Sequence, residues 1–324
     1  MTAERIPSPV SPSAPARLAR ARASLCGLRI GDALGSQFFV PDNRSHLAAE
    51  ELPAGPWQWT DDTEMACSVV TVLAGEGRIE EDVLAHSFAR HHDFDRGYGP
   101  GANRLLRLVR EGGDWRELST GLFRGQGSWG NGAAMRVAPL GAWYADDPRE
   151  AARQAVLSAR PTHQHPEGIA GAVAVAVTAA LVAASGTTPP EPAALLDAVL
   201  ALVPRSAVEL GIRRAASMLD YDDVATVAAV LGCGRRTTAQ DTVPFTLWAA
   251  ARSLGDFERA FWTTARAGGD IDTTCAIVGG IVAASPSGVP PRAWHRQTEP
   301  LPGWAEPACE EHADEAAPPG SGLR

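Results

Sequence analysis

From Glu167 to Ala184 the chain runs through alanine, valine, glycine and leucine without the two-residue alternation of a strand, and alanine-rich stretches recur at 193–203, 207–219, 222–231, 243–253 and 257–267. Such a texture folds as crossing helices that approach closely through small residues, because alanine has the best helix propensity and no side-chain entropy to lose. No strand-length alternation stands out elsewhere, and no fixed-period repeat marks a solenoid. The expectation is an all-α protein, a single compact multi-helix domain. Further helices are expected at 16–34, where Gly31 and Gly35 permit a close neighbour, and from Asp62 to the stop at Gly75 and Gly77. Others are expected at 81–91, 102–111, 133–142 and 148–160, and from Asp272 to near Pro286.

A length of 324 residues exceeds the usual single domain, yet no linker divides it. The expected organisation is a disordered leader at 1–15, a domain at 16–303 and an acidic, Pro/Gly-rich disordered tail at 304–324. No apolar run reads as long enough to span a membrane, and the start lacks the apolar centre of a signal peptide, so a cytoplasmic, monomeric protein is expected. The net charge is -9 and all 29 basic residues are Arg. A chain without Lys has no Schiff-base chemistry and no phosphate loop that needs that residue. The acidic balance argues against a dedicated duplex nucleic-acid binder, leaving nucleic acid only as a modified acceptor. The five cysteines have no zinc or disulfide spacing, and Cys67 and Cys275 read as buried thiols.

Two acidic segments stand apart, Trp59-Thr60-Asp61-Asp62-Thr63-Glu64 and Gly269-Asp270-Ile271-Asp272-Thr273-Thr274. Alone, each reads equally as a helix start, since Thr and Asp cap N-termini and carboxylates favour the positive end of the helix dipole. Together they read as half-sites. In extended backbone Asp270 and Asp272 would point to one side, and a Thr beside each acidic pair adds a neutral oxygen ligand. Converging carboxylates need compensating charge, and hard divalent cations supply it. Two such cations close together would polarise a substrate oxygen and favour hydrolysis. Between the half-sites, Gly125 to Gly132 is too glycine-rich for a helix and reads as a ligand loop. His163, with His165 close by, reads on its own as a surface histidine, and Arg136 as a packing or salt-bridge residue.

The set Gly31-Asp32-Ala33-Leu34-Gly35, Trp59 to Met65, Gly127 to Arg136, Thr162-His163 and Gly268 to Thr273 resembles the ADP-ribosylglycohydrolase family, in the family's order and over nearly the whole chain. The resemblance implies an all-α fold holding two Mg2+, with Mn2+ as a substitute, and cleavage of the bond between the anomeric carbon of ADP-ribose and an acceptor. It implies Thr60, Asp61, Asp62, Asp270, Asp272 and Thr273 as metal ligands and draws the catalytic carboxylates, Asp61, Asp62 and Asp272, from the same set. It implies that Gly127, Ser128, Trp129, Gly130, Asn131, Gly132 and His163 bind ADP-ribose, and that Asp32 ties helices together near the metals.

One position departs from the family pattern. Read without a gap, Phe39 stands where members carry a glutamate that touches a metal or assists the attack, and Gln37 and Asp42 are the nearest polar alternatives. The expected function is therefore a magnesium-dependent hydrolase that releases ADP-ribose. The alternatives are an ADP-ribose-binding protein with impaired catalysis, for which Phe39 could stack on a base or sugar, and a two-metal phosphohydrolase acting on the diphosphate.

Overall fold

The computed structural model describes residues 13–305, and among them there is no strand, only isolated bridges at Trp57–Thr298 and Gly130–Thr238. The first helices are α1 (Ala14–Ser36), α2 (Arg44–Ala49), α3 (Asp61–Glu76), α4 (Glu81–His91), α5 (Pro100–Arg110) and α6 (Trp115–Gly125). The middle of the chain forms α7 (Gly132–Met135), α8 (Ala138–Trp143), α9 (Pro148–Ala159), α10 (Pro166–Ala184), α11 (Pro192–Leu200) and α12 (Ala207–Ala216). Then come α13 (Val224–Leu231), α14 (Ala239–Arg252), α15 (Phe257–Ala265), α16 (Ile271–Val282) and α17 (Arg292–Gln297).

The expected all-α architecture is the one found, with differences that have local causes. The single helix expected at 133–142 is two, α7 and α8, broken at Arg136 and Val137. Helix α14 starts at Ala239, ahead of the expected 243, and carries Pro244 inside, where its ring fills the space that a side chain at Gly211 would need. Helix α6 was not expected; its regular part ends before Leu122 to Arg124, whose backbone is non-helical.

Helix α10 corrects the reading that no apolar run is long enough for a membrane: Pro166–Ala184 has 19 residues and a mean hydropathy of 1.9. It is the central helix of the core, 72% buried, and packs on α7, α8, α9 and α14. A helix apolar all round suits either environment, and here the protein itself covers it.

Helix α1 joins the two ends of the chain. Gly27, Gly31 and Gly35 recur every four residues along it and form a stripe against α16. A Cβ on Gly31 would overlap the Cys275 carbonyl, one on Gly27 would overlap Gly279 and Ala283, and one on Gly35 would come within 2.9 Å of Asp272 Cα. Backbone-to-backbone approach of this kind needs residues without Cβ. The segment around Trp57 is fixed by the end of α17 and the residues after it: Trp57 N–H donates to Gln297 O at 2.7 Å and Glu299 N–H donates to Trp57 O at 2.8 Å. Arg96 stacks on Trp59 at 3.4 Å and clamps Glu299 at 2.8 and 2.9 Å, so the approach to Thr60 is held on both sides.

The expected leader and tail lie outside the described residues except at their inner edges. There Ala14 and Pro15 belong to α1, Trp304 stacks on His91 at 3.7 Å, and Ala305 is buried.

Candidate active site

The two acidic segments meet. Thr60 and Asp270 are the N-cap residues of α3 and α16, but neither side chain bonds to its own helix end. For α3 the role passes to Asp32 on α1. Its carboxylate accepts the N–H groups of Thr60 and Thr63 at 2.9 and 3.1 Å and their hydroxyls at 2.8 and 2.5 Å. A carboxylate from another helix thus takes the Thr63 N–H, one of the orphan donors of α3, together with the N–H of the N-cap residue.

Asp62 is buried, and its Oδ2 lies 3.0 Å from Thr60 Oγ1, whose one proton is shared with Asp32, and accepts from Thr273 Oγ1 at 3.4 Å, so it touches both halves of the chain. Its Oδ1 is buried without a partner. Asp270 Oδ2 accepts from Asn131 Nδ2 at 2.7 Å, and the same amide donates to Thr242 Oγ1 at 3.1 Å.

The expectation that Asp270 and Asp272 share one side of an extended backbone is corrected. Asp270 has φ -89° and ψ 71°, and Asp272 already lies in the first turn of α16. The turn is set by Gly268 and Gly269, with φ of 68° and 77°. Any Cβ at Gly269 would also strike the Cys233 carbonyl, which accepts the Asp270 N–H at 3.1 Å.

Burial dominates the charge state of the cluster. It pushes the Asp61 carboxyl up to about 8, with the charge of Asp32 adding to the effect. Asp32 is raised to about 6 by burial, opposed by the hydrogen bonds from Thr63 and Thr60. Asp62 is pushed well above the carboxylate range by burial and then by Asp32 and Asp272, and Asp272 by burial and then by Asp270 and Asp32. Burial raises Asp270 as well, against the Asn131 hydrogen bond.

The donors Thr60, Asp61, Asp62, Asp270, Asp272 and Thr273 are all oxygen, and one buried carboxylate oxygen lacks a partner, which is the chemistry of a hard divalent cation. Among the described residues no three acidic, imidazole or thiol groups already stand as a closed ligand cage.

A cavity of about 540 Å³ opens onto this cluster, within the range of small-ligand sites. Asp61, Asp270, Asp272 and Thr273 line it, whereas Thr60 and Asp62 lie behind them. Of the expected ligand loop, Ser128, Trp129, Gly130, Asn131 and Gly132 line the cavity. Gly127 does not; it turns with φ 73° against Gln164 and His165. The loop is pinned to 237–239, with Asn131 N–H donating to Thr237 O at 3.1 Å and Ala239 N–H to Trp129 O at 3.0 Å.

His163 also lines the cavity and is buried, so it is not the surface histidine that its own residue context would give. Arg136 forms no salt bridge among the described residues. It is fully buried, donates to Ser158 O at 2.8 Å and Thr162 Oγ1 at 2.9 Å, and lies 4.4 Å from the Phe88 ring, and burial pulls its pKa down to about 9.

Three parts of the site escape sequence reasoning. Phe123 lines the cavity mouth half-exposed, its ring 4.8 Å from Trp129, in a left-handed backbone conformation that no residue type announces. Arg236 to Thr238 enter only through the loop pairing. The wall from Gly97 to Gly101 did have a signal, its run of glycines.

Phe39 is half-exposed on a short turn and does not line the cavity, nor do Gln37 and Asp42. Its neighbour Phe38 takes the buried place, 6.3 Å from Phe261 and 6.0 Å from Trp262.

The family model for ADP-ribosylglycohydrolase matches residues 13–320. The chain is 28% identical over 310 residues to ADP-ribosylhydrolase ARH3 of Bos taurus, covering 82% of this chain and 85% of that protein. It is 27% identical over 311 residues to ADP-ribosylarginine hydrolase Tri1 of Pseudomonas putida, covering 88% of this chain and 77% of that protein. A solved structure described as an ADP-ribosylglycohydrolase-related protein complex superposes with a TM-score of 0.60 at 25% identity, covering 91% of this chain and 97% of that one. With the match running through the whole described domain, the chain belongs to the ADP-ribosylglycohydrolase family, a family of enzymes.

Proposed function

We propose that the protein is a magnesium-dependent hydrolase that cleaves the glycosidic bond between ADP-ribose and an acceptor, either a modified side chain or a small conjugate, and releases ADP-ribose. The observation that carries this reading is the carboxylate set in which Asp61, Asp270 and Asp272, each part-buried, line a cavity with the buried Asp62 behind them, the other wall being the Ser128–Gly132 loop.

Thr60, Asp61, Asp62, Asp270, Asp272 and Thr273 would hold two Mg2+ or Mn2+ ions, which when bound supply positive charge and Lewis acidity toward sugar oxygens. The chain's own residues do the rest. Asn131 orients Asp270 through its amide. Asn131 and Gly130 N–H are used within the fold, so the loop would offer a diphosphate the N–H groups of Ser128, Trp129 and Gly132, without any Lys. Phe123 and Trp129 present aromatic faces at the mouth, where a nucleoside base can stack.

Asp61 reaches the cavity, where its carboxylate, kept ionised by the neighbouring cations, would accept the proton of the water that attacks the anomeric carbon. As the bond to the acceptor breaks, the electron pair and that proton leave with the acceptor, through an oxocarbenium-like transition state.

A second reading, an ADP-ribose-binding protein with impaired catalysis, is favoured by one observation: no residue of the 37–42 segment reaches the cavity, so that segment supplies no acidic group in place of the glutamate that Phe39 replaces. Incubating the protein and Mg2+ with ADP-ribosylated arginine, serine and nucleoside substrates, and separating products by chromatography, distinguishes the readings. The hydrolase releases ADP-ribose from at least one substrate. Binding without release on any of them supports the second reading, and AMP as the product indicates cleavage of the diphosphate.

A further inference from the structure

The buried Arg136 has no carboxylate partner among the described residues, and its bonds lead through Thr162 to the one imidazole in the cavity wall. We infer that Arg136 and Thr162 are positioning residues that hold His163 as the Nε2–H tautomer, so that its ring donates one hydrogen bond into the cavity, to an oxygen of a sugar-phosphate ligand.

A guanidinium only donates, so at 2.9 Å the Arg136 Nη2–H must be accepted by Thr162 Oγ1. The Thr162 hydroxyl then has one proton to place. Its two neighbouring acceptors are His163 Nδ1 at 2.7 Å and Ala159 O at 3.5 Å. The Ala159 carbonyl already accepts the N–H groups of Thr162 at 3.1 Å and His163 at 2.8 Å, which fills both lone pairs. A hydroxyl bond of 2.7 Å is at the optimum and one of 3.5 Å lies beyond it, so the proton goes to Nδ1. An Nδ1 that accepts leaves the ring proton on Nε2.

That nitrogen faces Gly130 and Gly132, whose Cβ positions would stand 3.2 Å from it, so the two glycines keep the space in front of the donor open. Burial, reinforced by the Arg136 charge, pulls the His163 pKa down to about 3 and keeps the ring neutral. Arg136 is itself fixed by Ser158 O and by its place over Phe88. The relay therefore starts from a rigid point, as second-shell support requires.

The ligand half of this inference rests on the ADP-ribose reading, and the tautomer half does not. Long-range 1H–15N NMR of the full chain labelled at histidine reads the tautomer directly. Wild type is expected to show His163 with a bare Nδ1 and a protonated Nε2, unchanged between about pH 5 and 8. Thr162→Ser keeps that signature, and Thr162→Val loses it and weakens ADP-ribose binding on the order of 10-fold. A protonated Nδ1 or an imidazolium in wild type would overturn the inference without any variant, as would an unchanged tautomer in a folded Thr162→Val protein. The expected tautomer with no ADP-ribose affinity in wild type supports the relay and overturns the ligand assigned to it.

Discussion

Asp32 Oδ2 accepts the hydroxyl proton of Thr63 at 2.5 Å, the shortest of the bonds by which α1 caps α3. The relationship joins the glycine stripe of α1 to the start of the acidic segment, so the same helix that touches Asp272 through Gly35 also sets the direction of Asp61 and Asp62. Asp32→Ala leaves buried N–H and hydroxyl donors unpaired. It is expected to lower stability by roughly 1–3 kcal/mol in urea denaturation. Wild-type stability in this variant would contradict the capping role.

The acidic cluster gives the metal-free protein a defined pH dependence. Asp32 and Asp61 have folded pKa values near about 6 and about 8, above the 3.8 of a free Asp. The folded state therefore binds their protons more tightly than the unfolded state. Their contribution to stability is full below the unfolded value and is lost as pH rises through the folded ones. In chelator, the Tm is expected to fall as pH rises between about 4 and 8, and saturating Mg2+ is expected to remove most of that slope. A Tm that rises over this window in chelator would contradict the charge assignment.

Gly31→Ala pits helix propensity against packing. An exposed Gly→Ala in a helix gains about 1 kcal/mol, but here the new Cβ meets the Cys275 carbonyl, a backbone atom that moves only with α16. Overpacking is expected to prevail, with a net loss of roughly 1–3 kcal/mol by thermal denaturation.

Phe39 and Phe123 are both about half-exposed but should behave differently toward ligand. Phe39→Ala is expected to change ADP-ribose affinity by less than about 2-fold, since it lies outside the cavity. Phe123→Ala is expected to weaken it roughly 10-fold through lost stacking. Calorimetric titration of both variants checks the contrast, and a reversed order would place the base elsewhere.

Much of this architecture was legible because helices advertise themselves locally. The alanine-rich stretches, Pro148 at the first turn of α9 and the Gly stops needed no knowledge of distant residues. The acidic half-sites were legible as pairs, because capping alone accounts for one such segment more easily than for two. What stayed hidden depends on contacts across the chain. The capping of α3 from Asp32, the break of the 133–142 helix at a buried Arg136 and the left-handed turn at Phe123 are each decided by neighbours far away in sequence. The backbone at Asp270 was misread for the same reason, since Cys233 on another loop sets that turn. Helix α10 was misread for membrane length because its run from Ile169 to Ala184 is interrupted by Gly171 and Thr178, neither of which carries a charge, so the stretch still counts toward a span.

Asp61 and Asp270 test the metal reading residue by residue. Asp61→Ala and Asp270→Ala are each expected to cut turnover by a factor on the order of 10³ or more while helical circular dichroism stays near wild type. Unfolding of both variants would return the segments to a purely structural role.

The most direct measurement combines metal content with product release in a single preparation. The protein is stripped with chelator, titrated with Mg2+ or Mn2+, and followed for free ADP-ribose on a substrate it cleaves. The account predicts no release in chelator, recovery as about two ions bind per chain, and ADP-ribose as the product. Release that survives complete removal of divalent cations would contradict it.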